Sequence, residues 1–374
     1  MSRLRVLFLL AIGLLLATSP MLAATYAVGT CKPSLPSYAT ISAAVIAVPP
    51  GSTVEVCPGT YPEQVTIAQP LILKGITSGN AGQAVITVPG SGLAVVTDGF
   101  GLSIAPQVHV TAGPVNISDI TVDGTGNNVS FPTWLAGILY DSGSSGTVNE
   151  ITARNLNTSG GIGVGVGVWA ENATGTNQSV IIENSSFHDI NDSSVIVEGS
   201  TLIPTVKGNT MEGNPISVQW IGGSGTLSNN VITGSSLEGI YAASPGTISG
   251  NTVTGSGTYG IWVPFQFGGG LSVTSNKISN VSTGLYFAES GDAYKSNMIT
   301  KVGIAIEFNC TAPTVVSNTI NDATTGLDSV PSSFSSANSF NNVGTLRTDG
   351  CGFNAIHKPD LPAPHSGPIP APAH

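Results

Sequence analysis

The densest stretch of ionisable side chains is Glu183, His188, Asp189 and Asp192, with Arg154, Glu171, Glu198 and Glu212 falling on neighbouring turns of a repeat. Carboxylates that meet in one groove could divide the acid and base work of cutting or rearranging a sugar chain, or could hold a hard cation such as Ca2+. Arg154, Glu171, Glu183, His188, Asp189 and Asp192 are therefore the candidate catalytic set. Against this, Phe187-His188-Asp189-Ile190-Asn191-Asp192 stands where a corner after a strand is expected, and solvated Asp and Asn are ordinary in corners. Asp119 and Asp123 would share one side of an uninterrupted strand, but Asp123-Gly124 reads as a bend. His109, alternating with valines in Val108-His109-Val110, reads as water-facing. The spacing of the cysteines resembles no zinc site; no cofactor is expected, and Ca2+ at the carboxylates has no specific support.

A second set is aromatic. Tyr241, Trp262 and Tyr286 each follow a Gly-apolar pair, and Trp169 follows Gly167-Val168 in the same way. Strand alternation turns the apolar member inward and the ring outward. A stripe of flat rings on a wall of Ser, Thr and Asn is a surface on which sugars stack, with C–H groups meeting the ring faces and neutral side chains meeting the hydroxyls. Trp169, Tyr241, Trp262 and Tyr286 are the candidate saccharide-binding residues. The competing reading is that the rings cover neighbours or lie under a loop. Trp220 fits the column only in a shifted register, and Ala305 and Asp328 end it.

The elements that must position these residues form a repeat. Asn209, Asn230, Asn251, Asn276, Asn297 and Asn318 recur at intervals of 21, 21, 25, 21 and 21 residues, and Asn338 follows after 20. Three residues before the first six stand Val206, Leu227, Ile248, Val273, Tyr294 and Val315; two residues after each stands another apolar residue. Gly239-Ile240, Gly260-Ile261, Gly284-Leu285, Gly303-Ile304 and Gly326-Leu327 mark a further strand per period. Each period therefore holds two or three short strands joined by Gly, Ser and Asn corners. Such a unit cannot bury its apolar face alone, so coils must stack at the strand spacing of about 4.8 Å. Leucine-rich repeats share the period, but residues 203–350 supply fewer than one Leu per turn while Val, Ile and Thr fill the strands. The Asn column is read as a ladder of amides inside a corner. Upstream the pattern persists in Ile117 to Val122, Ile151 to Leu156 and Val180 to Asn184, with projecting loops near 124–147 and 157–179. Roughly ten to twelve coils make one domain.

The ends carry different signals. Arg3 and Arg5 precede the apolar run Val6 to Leu16 and a small-residue stretch to Ala24, which predicts a secretory leader over 1–24 and an exported, extracytoplasmic protein without a membrane span. Tyr38 to Val48 has helical spacing and stops at Pro49-Pro50-Gly51, predicting a helix that caps the first coil of a domain spanning 25–357. Residues 358–374 read as a disordered Pro-rich tail. Four cysteines in an exported chain favour disulfides. Cys31–Cys57 and Cys310–Cys351 are the favoured pairs, because each brackets one end of the chain. The formal net charge of −10 with 11 Lys and Arg against 21 Asp and Glu argues against nucleic acid as a partner, since a polyanion needs clustered cations.

Thr40 to Val45, followed by Pro50-Gly51-Ser52-Thr53-Val54-Glu55-Val56-Cys57-Pro58-Gly59-Thr60-Tyr61-Pro62-Glu63-Gln64-Val65-Thr66-Ile67, resembles the cap helix and opening coils of the pectin lyase-like superfamily, and most closely bacterial exported repeat proteins of that group. Repeat and resemblance together imply an all-β, single-stranded right-handed parallel β-helix with an N-terminal cap helix, and the cysteine positions add a disulfide-closed C-terminal end. The resemblance implies no activity: the superfamily's polygalacturonase, alginate epimerase, pectate lyase and methylesterase signatures have no match in this sequence, and fold alone transfers no function. The expectation is a secreted protein that contacts polysaccharide along the solenoid wall without catalysis. The alternatives are a lyase, epimerase or hydrolase with an acidic site near 154–212, and a structural envelope protein. Oligomeric state is open.

Overall fold

The computed structural model describes residues 22–350 apart from 78–82, 161–162, 256, 265–269, 288–290, 310, 312 and 332–336. The chain winds into a solenoid whose strands pair in parallel with the coil before and the coil after. Three walls result. The first runs from Thr25–Val28 and Thr53–Val56 to Thr314–Val316, the second from Gly59–Pro62 to Lys277–Ser279, and the third from Val65–Ile67 to Thr283–Phe287. The second and third walls merge in the last coils, where Met298–Phe308, Thr319–Val330 and Ser339–Asp349 run through the corner as single long strands.

Parallel pairing puts like positions in contact, so each wall lines the interior with a column of one residue per coil. On the first wall Ile182, Val206, Leu227, Ile248, Val273, Tyr294 and Val315 are neighbours in register, and all are buried. These include the residues three before each Asn. Phe187, Met211, Ile232, Val253, Ile278, Ile299 and Ile320 form the second column. Val195, Val218, Ile240, Ile261, Leu285, Ile306 and Leu327 form the third. Burying a Val, Leu or Ile side chain stabilises by roughly 1.5–3 kcal/mol, and the three columns meet in one continuous core. One expected pair shifts. Ile306, seven residues on from Ile299 as Leu285 is from Ile278, points inward, so Ala305-Ile306 takes the place assigned to Gly303-Ile304.

The corner between the first two walls explains the repeated dipeptides. The residue before each of the first six ladder Asn is left-handed: Gly208, Asn229, Gly250, Ser275, Ser296 and Ser317 have φ between 55° and 66°. Gly, Asn and, at more cost, Ser adopt that conformation. It turns the next Asn into the corner, where each backbone N–H and each Nδ2 donates to Oδ1 of the Asn one coil on. For Asn251 both distances to Asn276 Oδ1 are 2.9 Å. The remaining Nδ2 hydrogen reaches back to a first-wall carbonyl, Leu227 in that case, at 3.1 Å. The ladder extends unbroken from Asn209 to Asn338. At its upstream end Ser185 N donates to Asn209 Oδ1.

The expected helix is Ile41–Ala47. Thr40 Oγ1 accepts from Ala43 N–H, and the Glu63 carboxylate accepts from Ile41 and Ser42 N–H at 2.8 Å each. Gln69 Nε2 donates to the carbonyls of Val45 and Val48, so both helix ends are satisfied. Ile41, Ala44 and Val45 are buried against strands of the first coils. Cys31 and Cys57 are disulfide-bonded beside this helix. The expected Cys310–Cys351 bridge, most of the expected leader and the Pro-rich tail lie outside the described residues. Among the described residues no helix is long and apolar enough to cross a membrane.

Asn251→Leu should lower the melting temperature sharply. It strands Asn230 N–H and one Nδ2 hydrogen of Asn230 and takes the Nδ2 donor from the Leu227 carbonyl, while Asn276 Oδ1 keeps the backbone N–H of residue 251, at roughly 1–3 kcal/mol for each buried group left unpaired. Asn338→Leu, at the half-buried end of the ladder, should cost much less; equal melting temperatures for the two variants would contradict the ladder.

Candidate functional site

The outward face of the third wall carries one column across the whole solenoid: His109, Leu139, Trp169, Ile196, Gln219, Tyr241, Trp262, Tyr286, Glu307 and Asp328, each opposite the next. All four candidate saccharide-binding residues stand in it. Tyr241, Trp262 and Tyr286 occupy consecutive strands. Trp220 does not belong to it; its ring is buried in the core with Nε1 donating to Gly222 O at 3.1 Å. Glu307, not Ala305, follows Tyr286, because of the two-residue shift in that strand.

Register did not decide exposure. Trp262 and Tyr286 are partly exposed, while Tyr241 is 4% exposed and Trp169 is 1% exposed. The expected stripe of four open rings is therefore corrected to two, with two more beneath the surface. Trp262 is the hub: it meets Tyr241 edge-on at 5.2 Å and lies 5.4 Å from Tyr259 with the planes 13° apart. Tyr259 in turn meets Tyr286 at 5.6 Å. Glycines make this packing possible. A Cβ on Gly239 or Gly260 would stand 2.5 Å or 2.4 Å from an inward Val253 or Ile278 methyl.

Trp169 is buried by a part of the chain outside the repeat. Val96–Thr97 pairs antiparallel with Ser103 and Ile104, and this hairpin lies across the outer face. Val96 and Leu102 pack on a separate apolar cluster of Ile104, Trp134, Ala136, Leu139, Val164, Val166, Trp169 and Ile196. Trp134 and Trp169 meet edge-on at 5.2 Å.

The candidate catalytic residues do not converge. Glu183 is on the first wall, ion-paired with Lys207 at 2.8 Å. Arg154 and His188 are neighbours on the outer face of the second wall; Arg154 Nε donates to Asp123 Oδ2 at 2.8 Å. Burial works to raise Asp123, but hydrogen bonds from Thr125, Asn155 and Arg154 outweigh it and hold the carboxyl at about 2. Asp189 is a left-handed corner residue with φ 57°, exposed and bonded to His188 Nδ1. Glu171 belongs to the third wall and Asp192 to the corner leading into it.

Two other acidic groupings form instead, both on the third wall. In the first, Asp141, Glu171 and Glu198 lie on successive coils. His109, expected in water, is 8% exposed and sits 2.9 Å from Asp141 Oδ2. Glu171 is fully buried; its Oε1 accepts from Gly99 N at 2.9 Å and from Ser142 Oγ at 3.1 Å. Burial first, then hydrogen bonding to Asp141, pushes Glu171 well above the carboxylate range. Glu198 is pushed up to about 8 by burial and by Asp98. In the second grouping Asp192 and Glu238 flank the rings, each pushed up to about 7, chiefly by burial. Gln219 Nε2 donates to Ser193 Oγ at 2.7 Å and reaches Asp192 Oδ2 at 3.4 Å. Glu198 and Glu171 stand two residues after Ile196 and Trp169, so the column register pointed to them; Asp98 lies in the non-repeating hairpin and carried no signal. Among the described residues no group of three or more His, Cys, Asp or Glu is arranged to hold a metal ion.

Residues 216–360 match the family model described as "Right handed beta helix region". The protein is a right-handed parallel β-helix. No curated protein matches the chain. Among solved structures, the A-module of the Azotobacter vinelandii mannuronan C-5 epimerase AlgE6 shares 15% identity, with 80% of this chain and 91% of that one covered, at a TM-score of 0.42. A PL6 alginate lyase in complex with a trisaccharide shares 13% identity over 88% and 87%, at 0.48. The surface adhesin PfbA of Streptococcus pneumoniae shares 13% over 82% and 88%, at 0.45. Likeness at this level transfers no activity to the β-helix.

The buried acids give the β-helix a predictable pH dependence. Glu171 binds its proton more tightly folded than unfolded, so its contribution is complete below its ordinary value of 4.5 and is lost as pH climbs through the raised folded value. The melting temperature should fall from pH 5 to pH 9, and Glu171→Gln should flatten that fall and stabilise the protein by roughly 1–3 kcal/mol at the alkaline end. An unchanged slope in the variant would show that other groups set it.

Proposed function

We propose that the third wall binds an uncharged polysaccharide without altering it, the glycan lying along the coil axis over Trp262 and Tyr286. The observation that carries this is the outward column itself, which sets Tyr241, Trp262 and Tyr286 on consecutive strands. At the strand spacing of about 4.8 Å adjacent rings serve adjacent parts of a short glycan. Tyr259 and Tyr241 brace Trp262 from below and beside, so the upper ring is held before the ligand arrives. Charge selects the class. The strands Ile216–Ile221, Glu238–Ala243, Tyr259–Val263 and Thr283–Phe287 contain no Lys or Arg, while Asp192, Glu238 and Glu307 lie around the rings. A polyuronate carboxylate would find no cation to pair with; a neutral chain would meet the two partly exposed rings. The Cys31–Cys57 bridge suits an oxidising compartment and, with the leader expected over 1–24, supports an exported location. The Ile41–Ala47 helix is taken as the cap of the first coil.

A second reading, cleavage of the glycan at the same wall, has one observation behind it. Asp192 and Glu238 retain protons near neutrality beside the rings, as a general acid must.

Affinity electrophoresis through gels containing neutral glucan, mannan or xylan, with alginate as the polyanionic control, tests both. Trp262→Ala and Tyr286→Ala should each weaken retardation in a neutral gel by about 1 kcal/mol without changing the β-rich circular dichroism. Glu183→Ala and Asp189→Ala, on other parts of the surface, should leave it unaltered. Retardation that survives loss of both rings would remove the platform. Reducing-end or unsaturated product formed by the parent and lost in Glu238→Gln would replace binding with catalysis.

A further inference from the structure

Three buried polar atoms beneath one hairpin lack partners: Asp98 Oδ2, Glu171 Oε2 and Trp169 Nε1. An unmade buried hydrogen bond is costly, and here three of the six such atoms among the described residues stand together. Trp169 and Glu171 are two apart on one strand, so both face outward. Asp98 reaches them from the hairpin, its Oδ1 accepting from Phe100 and Leu102 N–H. Two of the three orphans are carboxylate oxygens, which satisfy each other only while a proton sits between them. The third is a donor with no acceptor within reach in this state. The surface they share with the hairpin is aromatic, the edge-on pair Trp134 and Trp169, and Trp169 stands in the same column as Trp262 and Tyr286.

The hairpin is held down at few points. Gly99 N donates to Glu171 Oε1, and Ala94 exchanges two hydrogen bonds of 2.9 Å with the Gln64 amide. The contact at Gly99 is close: a Cβ there would lie 2.2 Å from Ser142 Oγ and 2.8 Å from Ala173 Cβ.

We propose that the 96–102 arm of this hairpin is a latch over a second saccharide subsite, in which Trp134 and Trp169 stack on a sugar ring, Trp169 Nε1 donates to a hydroxyl, and Asp98 and Glu171 accept from hydroxyls. The ligand class, a neutral sugar, rests on the polysaccharide reading above. The groups facing the latch are Asp98 from the hairpin and His109, Asp141, Glu171 and Glu198 from the wall. Glu171 keeps its proton in the closed state, and losing it sets two carboxylates against each other, so alkaline pH opens the latch.

Gly99→Val, whose Cβ would press on Ser142 Oγ, Ala173 Cβ and, at 3.1 Å, Glu171 Oε1, forces the latch open while leaving every titratable side chain in place. In a Trp262→Phe background, acrylamide quenching of the remaining tryptophans should be low in the parent at pH 6. It should be high in Gly99→Val at the same pH, and should rise in the parent at pH 10 unless Glu171→Gln is present. In the neutral gels, Gly99→Val with Trp262 intact should bind more tightly, by up to roughly tenfold, the worth of one or two ring contacts. Trp169→Phe should cancel that gain and have no effect alone. Quenching that stays low both in Gly99→Val and at pH 10 overturns the latch. Quenching that rises with no gain in binding overturns the subsite. If Gly99→Val binds where the parent does not, the subsite stands and the Trp262 platform fails. Suppression of the alkaline rise by millimolar Ca2+ in the parent would overturn the proton as the fastening, since a cation would then bridge the pair.

Discussion

The backbone pairing between coils is the constraint on which the rest depends. Strands in a parallel stack must meet like position against like, and the Asn ladder prevents slippage by engaging four hydrogen-bonding groups of each amide in the corner. A one-residue slip would turn a wall's buried column to solvent and break the ladder in the same step. Every outward column is therefore a consequence of how the inside is fixed. Tyr241, Trp262 and Tyr286 line up on the surface because Ile240, Ile261 and Leu285 line up beneath them.

This dependence explains what could be read from the sequence. The ladder, the inward residues flanking it and the membership of the aromatic column are periodic, and periodicity survives without knowledge of contacts. Ile304 does not take the inward place because in that coil Ala305 stands where the other coils have Gly, so Gly303-Ile304 falls two residues short of the inward position held by Ile306. Exposure was beyond reach for another reason. Whether Trp169 faces water depends on a hairpin inserted between two coils, and insertions carry no period. The same holds for Asp98, and for His109, whose partner Asp141 comes from a turn in the next coil. The dispersal of Glu183, His188 and Asp192 follows from coil geometry: residues four to nine apart along the chain are carried around a corner, not across a groove.

Acids on the second and third walls are handled in two ways. Asp123 on the second wall, given an arginine and three further donors, is held ionised. Glu171, Glu198, Asp192 and Glu238 are given burial, and all but Asp192 a neighbouring acid as well, and are kept protonated well above the usual range. A protonated carboxyl is a neutral donor and acceptor, so a wall with many acids and no Lys or Arg near its rings presents hydrogen-bonding groups with little charge. Such a wall admits sugar hydroxyls without demanding a counterion.

The ladder also divides the solenoid along its length. From Ser185 to Asn338 the corners are stapled, the intervals stay near 21 residues, and the outer face of the third wall is left with two partly exposed rings. Upstream, at the corner of Ile120, no amide takes the ladder position and at Ile151 the N–H reaches Ser185 Oγ at 3.2 Å instead. Those coils are longer, and their extra residues are folded back over the wall as the hairpin and the turns at Asp141 and Asn172, stitched by Glu171, Ser142 and Gln178. Stability there is drawn from side-chain contacts outside the solenoid and not from the corner within it. Contacts of that kind can be undone one at a time while the coils beneath stay paired, which is why a movable cover belongs on the upstream half and an open ring platform on the downstream half of the same column.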